Sequence, residues 1–195
     1  TDSGSDSGST KTPEAPRHAA LGERFYAKNL VQSHGSGEIY VTIDRAEVFT
    51  TFAEAGIALE DTCPYSVVDG MHYDQASGKL LHDGVIVTLH FTVENVNATS
   101  PWHATDPEFY EEYDFEIDAL GGCTEGITFY FSKHDACSGN YFAFHLEPGE
   151  TTEFEVSYLV YWSEIASDKD TALKHVQFET AYPATLGTTV DLNLK

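Results

Sequence analysis

Five carboxylates fall within nine residues of this chain, at Asp106, Glu108, Glu111, Glu112 and Asp114. Hard oxygen donors at that density are the ligand type Ca²⁺ takes. Their spacing matches no EF-hand loop and no Gly stands at its turn position, so a Ca²⁺-binding structural module of the cell envelope is the alternative reading rather than the leading one. The cysteines are Cys63, Cys123 and Cys137, an odd count that leaves at least one without an intramolecular partner. Cys123 and Cys137 flank a strand-like stretch at 126–132, and a disulfide between them would close a short loop worth roughly 3 kcal/mol. The alternative is three small, reduced core residues. Cys63 with His72 or His82 is the remaining thiol–imidazole combination, and no nucleophile signature accompanies it. A secreted hydrolase is therefore a minor alternative: the Gly-x-Ser-x-Gly elbow is absent, and 32 acidic residues always hold a carboxylate pair at some usable distance. None of the nine histidines has metal-site spacing, and they read as solvated, His90 among them on the polar side of a strand. Trp102, Phe109, Tyr110 and Tyr113 share the acidic segment, and side chains of this kind anchor protein and sugar contacts. They favour a non-catalytic binding module, without a cofactor, over an enzyme.

Charge narrows the partners. Acidic residues outnumber basic ones 32 to 10, and a net charge of −22 repels phosphate backbones and anionic head groups within a Debye length of about 8 Å. Nucleic acid is excluded as a partner; solubility, accumulation of cations and attraction to basic partners are favoured. No run approaches the roughly 20 apolar residues of a membrane-spanning helix.

The elements that must position these residues read as strands. From Val85 to Glu94, Val85, Val87, Leu89, Phe91 and Val93 line one face, with Thr88, His90, Thr92 and Glu94 on the other. Only Ile86 breaks the alternation. Phe154, Val156, Tyr158, Val160 and Trp162 repeat the rhythm and are expected to supply the facing layer that buries it. Ile39, Val41 and Ile43 start an earlier strand that continues through Ala46, Val48 and Phe49 with a shift of register, which a β-bulge would supply. Between them, 52–59 suits a helical turn and Tyr65–Val68 a short strand. Ser77-Gly78 and Asp83-Gly84 are turn signals, the latter joining Lys79–His82 to the central strand as a hairpin. This long excursion from Ala53 to Asp83 is itself a candidate binding surface. Further strands are expected near 115–119, 127–131, 141–146, 175–179 and 189–194, with Pro148-Gly149 at the centre of a type II turn.

The whole is an all-β chain: one antiparallel β-sandwich of seven to nine strands over residues 23–195, with minor helical turns in its connections. Residues 1–22, rich in Ser, Gly, Asp and Thr, predict a flexible tether, and Phe25, Tyr26 and Leu30 are placed to dock on the domain edge.

Three segments carry a family resemblance: Val41–Phe49; Val87–Asn95, ending in Glu94-Asn95; and Leu146-Glu147-Pro148-Gly149-Glu150-Thr151 leading into a Tyr- and Val-rich strand. In this order, over roughly residues 38–194, they resemble extracytoplasmic domains of unknown function, mostly from Gram-positive bacteria, related to mycobacterial immunoprotective extracellular proteins. The resemblance implies an immunoglobulin-like sandwich, secreted or lipid-anchored at the cell surface through a Cys that would precede residue 1. It carries over no catalytic residue; the protein or glycan partner at the cell surface is the expectation from Trp102, Phe109, Tyr110 and Tyr113. If Trp102 and Tyr110 are binding anchors, replacing both by Ala will leave the thermal midpoint nearly unchanged; a fall of many degrees in a melting experiment would assign them to the core.

Overall fold

The long strands pair in the register that their alternation requires. A computed structural model describes residues 16, 18–27, 37–62, 73–74, 76–99, 115–116, 127–132, 143–161, 175–178 and 188–194. In chain order they form β1 (His18–Ala19), β2 (Phe25–Tyr26), β3 (Ile39–Phe49), α1 (Phe52–Ala55), a 3₁₀ turn (Leu59–Asp61), β4 (Tyr73–Asp74), β5 (Lys79–Leu80) and β6 (Gly84–Asn95). After these come β7 (Phe115–Glu116), β8 (Ile127–Phe131), β9 (Ala143–Phe144), β10 (Thr151–Tyr161), β11 (His175–Phe178) and β12 (Thr188–Asp191). The protein is all-β, in mostly antiparallel sheets. These are twelve strands among the described residues rather than seven to nine, the excess being two-residue segments. The aromatic candidates Trp102, Phe109, Tyr110 and Tyr113, the carboxylates Asp106, Glu108, Glu111, Glu112 and Asp114, the thiols Cys63, Cys123 and Cys137, and Tyr65–Val68 all lie outside the described residues.

A five-stranded sheet runs β2-β3-β6-β10-β8, with β6 at its centre, and a three-stranded sheet runs β1-β12-β11. Val85, Val87, Leu89, Phe91 and Val93 of β6 are all buried, together with Ile39, Val41 and Ile43 of β3 and Phe154, Val156, Tyr158 and Val160 of β10. Each such side chain contributes about 1.5–3 kcal/mol by leaving water. One correction follows for β10. It lies beside β6 in the same sheet, Phe154 opposite Phe91 and Val156 opposite Leu89; the other side of the core is closed by Ala19, Phe144, Leu146, Val190 and Leu192. Alternation places a strand's apolar face but does not separate a neighbour within the sheet from a partner across the core.

Register shifts in β3 between Ile43 and Arg45, so the expected bulge sits at Asp44 and returns Ala46 and Val48 to the inner side. Part of the expected tether belongs to the fold. His18 and Ala19 pair in parallel with Thr189 and Val190, Ala19 enters the core, and Thr188 Oγ1 donates to the Pro16 carbonyl. Composition hid this, because two residues of sheet pairing need only one small apolar side chain. Phe25 and Tyr26 then form the edge strand β2, both buried.

The other face of the five-stranded sheet is divided. At one end Ile86 and Leu159 are buried under Phe52, Ile57, Tyr73 and Leu80, so the residue that broke the alternation of β6 is the floor of a second core. The excursion between β3 and β6 is its cover. Thr51 caps α1 by accepting from the Glu54 N–H, and Gly56 ends it at φ 71°. The expected hairpin between 79–82 and β6 does not form. Lys79 and Leu80 pair with Asp74 and Tyr73 across the Ser77-Gly78 turn, which leaves Leu80 to pack over Ile86.

At the far end of β6, on the same inner parity as Phe91 and Val93, Asn95 is fully buried, and its side-chain hydrogen bonds go to backbone. Its Nδ2 donates to the carbonyls of Ala98 and Leu146, and its Oδ1 accepts from the Ala98 N–H at 2.7 Å. Its own N–H donates to the Glu150 carbonyl, while Gly149 N–H donates to its carbonyl. The Pro148-Gly149 turn forms as expected, with Gly149 at φ 89° and Glu150 N–H donating to Glu147. Two of the three segments behind the family resemblance thus meet at one amide. Asn95→Ala will leave buried backbone groups unsatisfied and cost about 3 kcal/mol in urea unfolding. Gly149→Ala has open space for its Cβ and will cost only about 1 kcal/mol through its positive φ.

Candidate functional site

Beyond the cover, the outer face of the five-stranded sheet is polar. Pairing sets Tyr40 beside Glu94, Thr42 beside Thr92 and Arg45 beside His90 between β3 and β6, and Thr92 beside Glu153 and His90 beside Glu155 between β6 and β10. Here the sheet floors an open cleft of about 630 Å³, lined by Asp44, Arg45, Thr92, Ser132, Glu153 and Glu155 around His90. That volume is within the range of about 300–1,000 Å³ that holds small molecules or a large side chain.

His90 organises the cleft. Its Nε2 lies 2.7 Å from Glu47 Oε2 on β3, and its Nδ1 lies 2.9 Å from Glu155 Oε1 on β10. The side chain is only 13% exposed, which corrects the reading of this histidine as solvated. The bulge at Asp44 makes the contact possible: Arg45 is the residue paired with His90, while Glu47 leans across from the next outward position. Arg45 Nε donates to the same Glu47 oxygen at 3.0 Å. That hydrogen bond, against the effect of burial and with help from His90, holds the Glu47 carboxyl below its ordinary range.

Neighbouring contacts fasten the rest of the face. Thr92 Oγ1 donates to Asp44 at 2.7 Å, and Glu155 N–H donates to Ser132 Oγ at 2.9 Å on the far side. Beneath Glu47, the buried hydroxyls of Thr88 and Ser157 bond to each other at 2.8 Å. Near β2, Arg24 sits 3.5 Å from the Tyr40 ring centroid and donates to Glu94 at 2.8 Å, a cation–π contact and an ion pair on one guanidinium. Glu153 is exposed, and no ion pair holds its carboxylate among the described residues.

Chemically this is a surface for holding charge. A general base needs a ring nitrogen that can reach its substrate, and both nitrogens of His90 already face carboxylates. Those carboxylates approach opposite sides of the ring, so Glu47, His90 and Glu155 do not converge on a common ion, and no group of three His, Cys, Asp or Glu placed to hold a metal occurs among the described residues. The alternating polar side chains of β6 and β10 announced the outer face in the sequence. Their meeting with Glu47 did not show there, because it depends on the bulge. Glu47's depressed titration adds stability that is present above about pH 4 and is lost as pH falls through its folded value. In paired melts from about pH 5 to pH 3, Glu47→Gln will therefore show a deficit that shrinks as the carboxylate is protonated; a constant deficit would deny Glu47 that role.

No protein-family model, curated protein or solved structure matches this chain, so the reading of the site rests on its own geometry.

Proposed function

We propose that the chain is an exported, non-catalytic binding domain with an immunoglobulin-like sandwich, tethered at the cell surface through the segment before Pro16, and that its cleft receives a cationic group from a protein partner. The cleft on the outer sheet face carries the binding reading. Asp44, Glu153 and Glu155 place three carboxylates around it, and its nearest guanidinium, Arg45, is already engaged by Glu47. A lysine or arginine side chain entering between Thr92 and Glu153 meets hydroxyl and carboxylate acceptors from two adjacent strands. The long-range field of a chain at −22 draws basic partners toward such a site. Thr92 is fixed by its hydrogen bond to Asp44 and Glu155 by its ion pair with His90, so these groups are in place before the ligand arrives, which lowers the entropy cost of binding. The exported and immunoglobulin-like parts of the reading rest on the three resembling segments and on the shared core of the two sheets.

A capped peptide with a single Arg and no other charge tests this by NMR titration. Amide shifts are expected to concentrate at 90–92 and 153–155, and Glu153→Gln should weaken binding by about tenfold, the value of one charge-assisted hydrogen bond. Glu153 is one charge among 32 acidic residues, so diffuse attraction would hardly notice its loss. Shifts scattered over the surface, or unchanged affinity in the variant, would overturn the assignment.

A further inference from the structure

One ring joins three adjacent strands at the cleft. His90 stands on β6, and its two nitrogens reach Glu47 on β3 and Glu155 on β10 at 2.7 and 2.9 Å. Glu47 accepts a hydrogen bond from Nε2, while Glu155 Oε1 lies beside Nδ1 as an ion pair that exists only when the ring is charged; the doubly protonated imidazolium alone turns a proton toward both carboxylates. The neutral ring has one N–H; its other nitrogen would turn a lone pair toward a carboxylate. The charged groups that face the ring among the described residues are Asp44, Arg45 and Glu47 from β3 and Glu153 and Glu155 from β10, while the β8 end contributes the neutral Ser132. Glu47 keeps a second cationic partner in Arg45 when the ring is neutral. Glu155 N–H donates to Ser132 Oγ, and among the described residues the Glu155 carboxylate forms its ion pair with His90 alone.

We infer that His90 is a proton-operated brace for the cleft: the charged ring ties β3 to β10 across β6, and loss of one proton frees a carboxylate to face an incoming cation. The brace stands on the contact geometry alone; its effect on a ligand rests on the cation-binding reading above. The direction follows from charge. Deprotonation makes the cleft more negative by one unit, so a cationic group binds more tightly at higher pH and is released in acid. Stability runs the other way, because the ion pair with Glu155 exists only with the charged ring and is lost as pH rises.

Three measurements on the full chain separate these statements. Long-range ¹H–¹⁵N spectra of the His90 ring should show two N–H groups at about pH 5 and one at about pH 8, the interval in which imidazoles change charge; a ring with a single N–H at both would overturn the brace. His90→Gln keeps a single, uncharged donor nitrogen and should fold. Its melting deficit against the parent should be larger at about pH 5 than at about pH 8, whereas equal deficits would overturn the brace. The single-Arg peptide should bind the parent about fivefold more tightly at the higher pH, and His90→Gln should lose that ratio. Equal affinity in the parent at both values would overturn the coupling. No binding at either pH would defeat the cation-binding reading and the coupling with it, while the ring spectra and melts would still decide the brace.

Discussion

Everything in this domain depends on how β6 is paired. Its inner side chains fill the core, and because the side-chain period is two, a slip of one residue against β3 or β10 would turn Val87, Leu89 and Phe91 outward and His90 inward. The inner face thus sets the register, and the register decides which polar residues meet on the outer face. His90 lies opposite Glu155, and Thr92 opposite Glu153, as a by-product of burying Leu89 opposite Val156 and Phe91 opposite Phe154. The polar cleft is held in place by hydrophobic energy from the other side of the same strands.

The outer face of that sheet changes character along its length. Ile86 and Leu159 form an apolar floor, Thr88 and Ser157 a buried but hydrogen-bonded row, and His90 with Glu155 a charged one. Each row requires a different neighbour. The apolar row is covered by Phe52, Ile57, Tyr73 and Leu80; the hydroxyl row satisfies itself; the charged row remains open to water. This gradient accounts for the long excursion between β3 and β6, whose described part serves the fold by covering Ile86. Its covering role does not extend to the cleft lining, which is drawn from β3, β6, β10 and the residue after β8.

The strands themselves were legible, because ten residues of alternation in 85–94 and in 152–161 leave few other ways to bury Val, Leu and Phe. So were the bulge in β3, where the apolar positions change parity between Ile43 and Ala46, and the turn at Pro148-Gly149. Less was readable where pairing is non-local. Whether 152–161 lay beside or across from 85–94, whether Lys79-Leu80 joined β6 or β4, and whether His18-Ala19 belonged to a sheet were each settled by contacts distant in sequence. His90 belongs with these. Its position on the polar face was plain, but a solvated histidine and one clasped by two carboxylates have the same local sequence. The difference lies 43 residues upstream at Glu47 and in Glu155 on the far strand. The acidic aromatic segment drew attention by composition, whereas the cleft is assembled from residues that look ordinary one strand at a time.

Asn95 shows why the ends of β6 are as constrained as its middle. A strand end leaves backbone groups without ladder partners, and burying such groups unpaired costs about 1–3 kcal/mol each. The Asn95 amide meets this at one point, tying its own strand to Ala98 and to the carbonyl of Leu146 just ahead of the Pro148-Gly149 turn. That turn leads directly into β10, so Asn95 also locates the first residues that pair with β6, Thr151 opposite Glu94 and Glu153 opposite Thr92. From there the ladder carries the same register to Glu155 and His90. A side chain at one end of the sheet, exposed to no ligand, thus places a carboxylate at the cleft, and the cleft geometry is as firm as the strand end that starts it.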